Sequence, residues 1–224
     1  MKTRWIALGL ALGVTGLLTC GEARSQETAK QETAKQDAGM EQMMKLFEKY
    51  SLPGPGHKKL DPYIGTWEVT TKMWMEGPDA APSESKSTVW CRPIFGGRFI
   101  ESKSQGTMSF VYKGEVVLVP TESVGYIGYD SFKEKFVAVW IHSSGTGIYD
   151  AEGTVDETGT VFTFFATYDE WETGRRGVPY KMVDRFADED TLVSTMYDLT
   201  MKSEESKVLE MVAKRVEAKQ LGTP

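Results

Sequence analysis

The chain has 224 residues, 40% of them hydrophobic, 11% aromatic and 26% charged, with 32 acidic side chains against 26 basic. That balance fits one ordinary globular domain with additions, and it excludes collagen, a coiled coil and wholesale disorder. Asparagine is absent, and the two histidines (His57, His142) and two cysteines (Cys20, Cys91) leave few ways to assemble a nucleophile or a metal centre.

Lys2 and Arg4 precede an apolar run from Trp5 to Leu18. Its fourteen residues fall short of the roughly 20 that span a bilayer, so the run reads as an export signal. Two processing routes stay open. Ala23-Arg24-Ser25 offers small residues for cleavage of a signal peptide over 1–25. Leu17-Leu18-Thr19-Cys20 resembles a lipobox, which would remove 1–19 and lipidate Cys20, although Thr19 stands where a smaller residue is usual. The expected location is the periplasm or, through Cys20, the membrane surface as a lipoprotein. Either cut leaves a net charge of −8, because 1–25 holds three basic residues and one acidic and 1–19 holds two basic. A chain this acidic, with its charges scattered, points away from nucleic acid and from direct attraction to anionic lipid. Either cut also leaves Cys91 without an intramolecular disulfide partner. Nothing in the sequence fixes an oligomeric state.

Residues 26–39 contain a tandem repeat, QETAK at Gln26–Lys30 and again at Gln31–Lys35, and read as a solvated polar linker. Residues 40–59 read as an amphipathic helix and its stop. Met40, Met43, Met44 and Phe47 fall at i, i+3, i+4 and i+7, and the prolines and glycines of Ser51–Gly56 end the pattern. The stripe is expected to dock on its own chain, with a partner-binding helix as the alternative.

From residue 60 to 217 the period is two. Trp67, Val69, Thr71, Met73 and Met75 share one face of the first strand, and Glu68, Thr70 and Lys72 share the other. Similar runs lie near 87–94, 97–105, 108–119, 122–129, 135–143, 146–154, 160–168, 178–187, 191–199 and 207–217, with 218–224 as a tail. Ten or eleven strands joined by short turns predict an all-β antiparallel up-and-down barrel, since parallel neighbours need long crossovers. A barrel of about ten strands is wide enough to hold a cavity. A β-sandwich is the alternative architecture.

The first strand opens on Gly65-Thr66-Trp67, which resembles the Gly-x-Trp start of the calycins, the lipocalin and fatty-acid-binding superfamily. In that superfamily the tryptophan closes the barrel bottom beneath a basic residue of the last strand. The resemblance gives that part to Arg215, or to Lys214. Gly96-Gly97-Arg98-Phe99, Gly125 to Asp130 (GYIGYD), Trp140-Ile141 and Gly145-Thr146-Gly147 follow in an order that resembles the bacterial family of domain of unknown function 1579. That family is placed among the calycin-like barrels, and the resemblance covers about Met40 to Val216. It implies the barrel and no established activity. Where the family pattern often has aspartate, this chain has His142.

No Gly-x-Ser-x-Gly elbow, Walker loop, dinucleotide fingerprint or His-Glu-x-x-His occurs, and Ser143 and Ser144 are too near His142 to form a triad with it. The acidic group Asp150, Glu152, Asp156 and Glu157 lacks calcium-loop spacing and reads as a solvated hairpin. No catalytic residue and no metal site is therefore assigned, and the sequence points away from an enzyme. The leading reading is a barrel that binds a small hydrophobic or amphipathic ligand, with Val69, Thr71, Met73, Trp140, His142, Phe165 and Met196 as candidate lining residues. A barrel resembling nitrobindin, with heme on His142, is one alternative. A non-catalytic scaffold with a filled core is the other.

Overall fold

The computed structural model describes residues 18–74, 81–113, 115–170, 173–201 and 206–217, with side chains from Ala29 onward except at 110–112. Most of the apolar run expected to act as an export signal, up to residue 17, lies outside the described residues, as do Met75, the tail 218–224 and the side chains of Cys20 and Ala23 to Ser25. Two compact units are distinguished, Met1–Lys49 and Tyr50–Pro224.

The described residues of the first unit are helical: α1 runs Leu18–Ser51 and takes in the QETAK repeat as an exposed helical spacer. Glu, Ala, Lys and Gln are strong helix formers, and intrinsic propensity carries the helix where no apolar face exists. An i,i+4 pair joins Lys45 to Glu41 at 2.7 Å on its exposed surface. Met40, Met43, Met44 and Phe47 are all more than half exposed. Among the described residues no helix is long and apolar enough to cross a membrane.

The second unit is the barrel. A short helix α2 (Pro55–Lys58) and a 3₁₀ turn (Asp61–Tyr63) lead into ten strands: β1 Gly65–Met73, β2 Ser83–Ile94, β3 Phe99–Tyr112, β4 Glu115–Asp130, β5 Lys135–His142, β6 Tyr149–Val155, β7 Val161–Glu170, β8 Arg175–Asp188, β9 Thr191–Asp198 and β10 Ser206–Val216. Each pairs antiparallel with its neighbours in sequence, and β10 pairs with β1 to close the barrel. One expected strand is corrected. The run 108–119 is not a strand but the β3–β4 hairpin, turning at Lys113, whose φ is 51°. Valines and aromatics continue on both sides of that turn and hide it from a pattern search.

Every second side chain points inward, and the inner face is not uniform along the barrel axis. One end is a packed floor. Leu60, Tyr63, Trp67, Ile100, Ile127, Phe136, Phe162 and Phe164 are buried there, and the rings of Tyr63, Phe136 and Phe186 meet Phe162 edge-on. Trp67 Nε1 donates to the Tyr63 carbonyl at 2.9 Å, and the Arg215 guanidinium lies over the Trp67 ring with Cζ 4.1 Å from its centroid. Lys214 points the other way and donates to Thr191 Oγ1.

The family glycines explain themselves by packing. Gly125 and Gly128 sit three apart in β4 and so on opposite faces. A Cβ at Gly125 would collide with the Trp140 indole, and one at Gly128 with the Phe99 ring. Arg98 of the GGRF turn donates to the carbonyls of Ser51 and Phe95 and anchors the chain where it enters the barrel.

Candidate functional site

Above the floor, the inner face changes character. Thr71 and Met73 on β1, Ser85 and Ser87 on β2, Ser102, Ser104 and Met108 on β3, and Thr121 and Ser123 on β4 point inward by alternation. All of them are only half-buried, whereas the inward residues of the floor are closed off. Facing them from β5, β6 and β7 are Trp140, Tyr149 and Tyr168, also half-buried. The open half of the barrel therefore keeps accessible surface on its inner face.

Four residues expected from the sequence share this inner face: Thr71, Met73, Trp140 and Met196, the last pairing with Met182 across β8–β9. Val69 also points inward but belongs to the floor cluster with Trp67 and Ala213. His142 follows Trp140 by two and reaches the mouth, where it is exposed and its ring meets Tyr149 at 5.3 Å. Phe165 is a correction. It lies between the inward Phe164 and Ala166, on the outer face, and is 56% exposed. In the run Phe162-Thr163-Phe164-Phe165 both parities hold an aromatic ring, and the Phe162 side of the alternation is the buried one.

The inward serines are not assigned by the sequence reading, though a signal is present. In Ser83-Glu84-Ser85-Lys86-Ser87 and Ser102-Lys103-Ser104 the charged residues occupy the wet face, which sends the serines inward. Ser104 and Ser123 share a hydrogen bond of 2.6 Å across β3–β4. Tyr149 and Tyr168 were also missed. Their rings lie 5.5 Å apart, and Tyr168 meets Tyr180 at 5.2 Å, so a row of rings runs from His142 across β5 to β8.

The β7–β9 side of the mouth is sealed by a polar cluster. Arg175 donates to both carboxylate oxygens of Glu170 at 2.8 and 2.6 Å, to Asp198 at 3.0 Å and to Thr200 at 2.8 Å. Tyr180 donates to Glu170 at 2.6 Å. Burial opposes the charge on Glu170 and Asp198, but hydrogen bonds to Glu170 from Arg175, Thr173 and Tyr180 and to Asp198 from Thr200 and Arg175 outweigh it. Both carboxyls stay below the usual range.

Three other groups are tuned by burial. Asp184 is deep in the floor and accepts from Tyr63 at 2.8 Å. Burial raises its pKa against the hydrogen bonds from Ser194 and Tyr63, and its Oδ1 has no partner. Cys91 is pushed up to about 12 by burial, against the pull of Arg215. Desolvation of its ring lowers the pKa of His142. None of these arrangements joins a base to a nucleophile, and among the described residues no three metal-ligating side chains converge.

Clefts open at two places among the described residues. One of about 590 Å³ lies at the mouth beside Tyr149, Tyr168 and the loop Ser144–Ile148. The other, about 330 Å³, lies near the floor, lined by His57, Arg98, Phe99 and Tyr129. The second is occupied in part by structure-holding contacts: His57 Nδ1 accepts from the Gly54 N–H and its ring packs edge-on against Tyr129.

No curated protein matches the chain. Among solved structures, Rv2717c from M. tuberculosis has 19% sequence identity and a TM-score of 0.51, covering 73% of this chain and 99% of its own. That likeness supports the barrel fold. A redesigned beta barrel, b11L5F_LGL, matches at 15% identity and a TM-score of 0.33 over 72% of this chain and 96% of its own. The family profile described as "Protein of unknown function (DUF1579)" spans residues 52–215, which takes in the floor turns, all of β1 to β9 and β10 through Arg215. A ten-stranded closed barrel with the Trp67–Arg215 floor, matched over most of its length by that profile, makes this chain a member of the DUF1579 family.

Proposed function

We propose that the protein is an exported binder of a small, amphipathic molecule held in the open half of its barrel. The observation that carries this is the contrast along the axis: the floor residues are sealed, while the inward residues from Thr71 to Trp140 retain accessible surface. Ligand sites of this kind combine apolar walls with a few orienting polar groups. Here Trp140, Met73 and Met196 supply the first and the serine hydroxyls the second. Export rests on the basic start and apolar run of the sequence, and the intact mass of the mature chain distinguishes cleavage after Ser25 from lipidation at Cys20.

Native mass spectrometry on protein purified from its own envelope fraction tests the binding reading. A co-purifying small molecule is expected, and its loss is expected in Ser87→Phe, which adds an aromatic ring to the inward face of β2 opposite Gly106. A filled-core scaffold would give the bare chain mass in both proteins.

The heme reading fits these residues less well. His142 supplies one neutral imidazole, but it stands exposed at the rim, and the rim also carries the carboxylates of Glu170 and Asp198. Arg175, the cation there that would meet a porphyrin's carboxylates, is already engaged.

A further inference from the structure

The open half of the barrel has two unlike walls. On β1 to β4 the inner face presents the hydroxyls of Thr71, Ser85, Ser87, Ser104 and Ser123. A hydroxyl both donates and accepts, so the bonded pair Ser104–Ser123 keeps capacity for a further partner. On β5 to β7, Trp140, Tyr149 and Tyr168 present aromatic rings.

An available cation is missing from this lining among the described residues. The guanidinium that reaches the inner side of the mouth is Arg175, and its N–H groups go to Glu170, Asp198 and Thr200. Lys72, Lys86 and Lys103 lie on the outer face by alternation, and Lys181 lies over the outward Tyr197 ring. Desolvation lowers the pKa of His142 from its ordinary value, which disfavours the charged ring.

We infer, resting on the ligand-binding reading above, that the lumen selects an uncharged amphipathic molecule and rejects the carboxylate counterpart of the same molecule. The hydroxyl or carbonyl groups of the ligand meet the β1–β4 wall, and its flat apolar body lies against Trp140 and Tyr149. An alcohol exchanges hydrogen bonds with water for hydrogen bonds with serine at little net cost. A carboxylate loses its hydration and finds no counter-charge to replace it. Ring-to-ring packing then holds either body equally, which leaves the head group to decide.

The test is a matched pair of fluorescent probes, pyrenebutanol and pyrenebutyrate, titrated at pH 7 into the mature protein and into Ser123→Arg, with Thr71→Lys as a second cation-bearing variant in case the first fails to fold. The alcohol is expected to bind at least about tenfold more tightly than the acid, the size set by an unpaired buried charge. A folded cation-bearing variant is expected to close or reverse that gap. Equal affinity for the two probes, or tighter binding of the acid, overturns the selectivity and leaves the lumen reading standing. An unchanged preference in a folded cation-bearing variant overturns the placement of the head group on the hydroxyl wall. Binding of neither probe overturns the lumen reading as well.

Discussion

Arg215 Cζ lies 4.1 Å from the centroid of the Trp67 ring, and the two residues are direct partners in the β1–β10 register. The cation over the indole is therefore also the seal between the first strand and the last. The same guanidinium donates to the carbonyls of Ile64, Pro62 and Glu189, so one side chain ties the floor turn, the barrel closure and the β8–β9 turn together.

Removing either partner should be costly, but by different amounts. Trp67→Ala empties a fully buried site and is expected to cost about 3 to 5 kcal/mol. Arg215→Met loses a cation–π contact of about 0.5 to 2 kcal/mol and strands backbone carbonyls at roughly 1 kcal/mol each. Urea unfolding followed by tryptophan fluorescence measures both, and a loss under 1 kcal/mol for Trp67→Ala would contradict the floor assignment.

The carboxyl of Asp184 should make the barrel less stable as pH rises. Burial raises its folded pKa above the unfolded value, so its favourable contribution is full below about pH 4 and is lost as pH climbs through the folded value. Asp184→Asn retains an oxygen to accept from Tyr63 and removes the titration. The variant is expected to gain on the parent as pH rises above about 4, until the folded value of Asp184 is passed, in urea unfolding, and parallel profiles would contradict this.

The mouth cluster has the opposite sign. Glu170 and Asp198 have depressed pKa values, so their contribution is present above about pH 4 and is lost as pH falls through the folded values. Arg175→Met leaves Glu170 and Asp198 without their cation and is expected to lower stability at pH 7, by less than breaking a fully buried pair because Arg175 is 41% exposed. The gap between parent and variant should narrow in acid, which unfolding series at pH 3 to 7 would show.

Cys91 should be chemically quiet. It points inward beside the floor with its pKa pushed up to about 12, while its neighbour Arg92 faces outward and pairs with Glu101 at 2.7 Å. A reactive thiol needs exposure and thiolate character, and Cys91 has neither in quantity. Native protein is expected to resist maleimide for hours and to label within minutes in urea; prompt native labelling would refute its burial.

Hemin should find no specific seat. Titration of the parent is expected to give no saturable Soret shift, and the same weak response is expected in His142→Ala. A saturable shift in the parent that disappears in the variant would establish His142 as an iron ligand and displace the argument from the missing counter-charge.

The barrel was legible because its physics is local. Period-two alternation, short turns and the Gly65-Thr66-Trp67 start each speak for adjacent antiparallel strands, while the calycin resemblance implies Arg215 or Lys214 over Trp67, and Arg215 is the one found there. The strand count slipped at Lys113, where a turn hides between two runs of valine and aromatic residues. The site was less legible. Attention to apolar lining placed Phe165 inside, where neighbouring Phe164 belongs, and passed over Ser85, Ser87, Ser102 and Ser104, whose meaning lay in the lysines and glutamate beside them. Which half of a barrel is closed off depends on contacts among strands far apart in sequence, such as Tyr63 with Phe162, and no window of residues contains that information.

The pairing of β1 with β10 also sets a timetable for folding. Eight residue pairs join Thr66–Met73 to Leu209–Val216, so the cylinder stays an open, unpaired sheet until nearly the whole chain is available. Such long-range closure is slow, because the loop entropy is spent before the contacts form. Only when β10 is in place can the Arg215 side chain reach Trp67 and latch the ends.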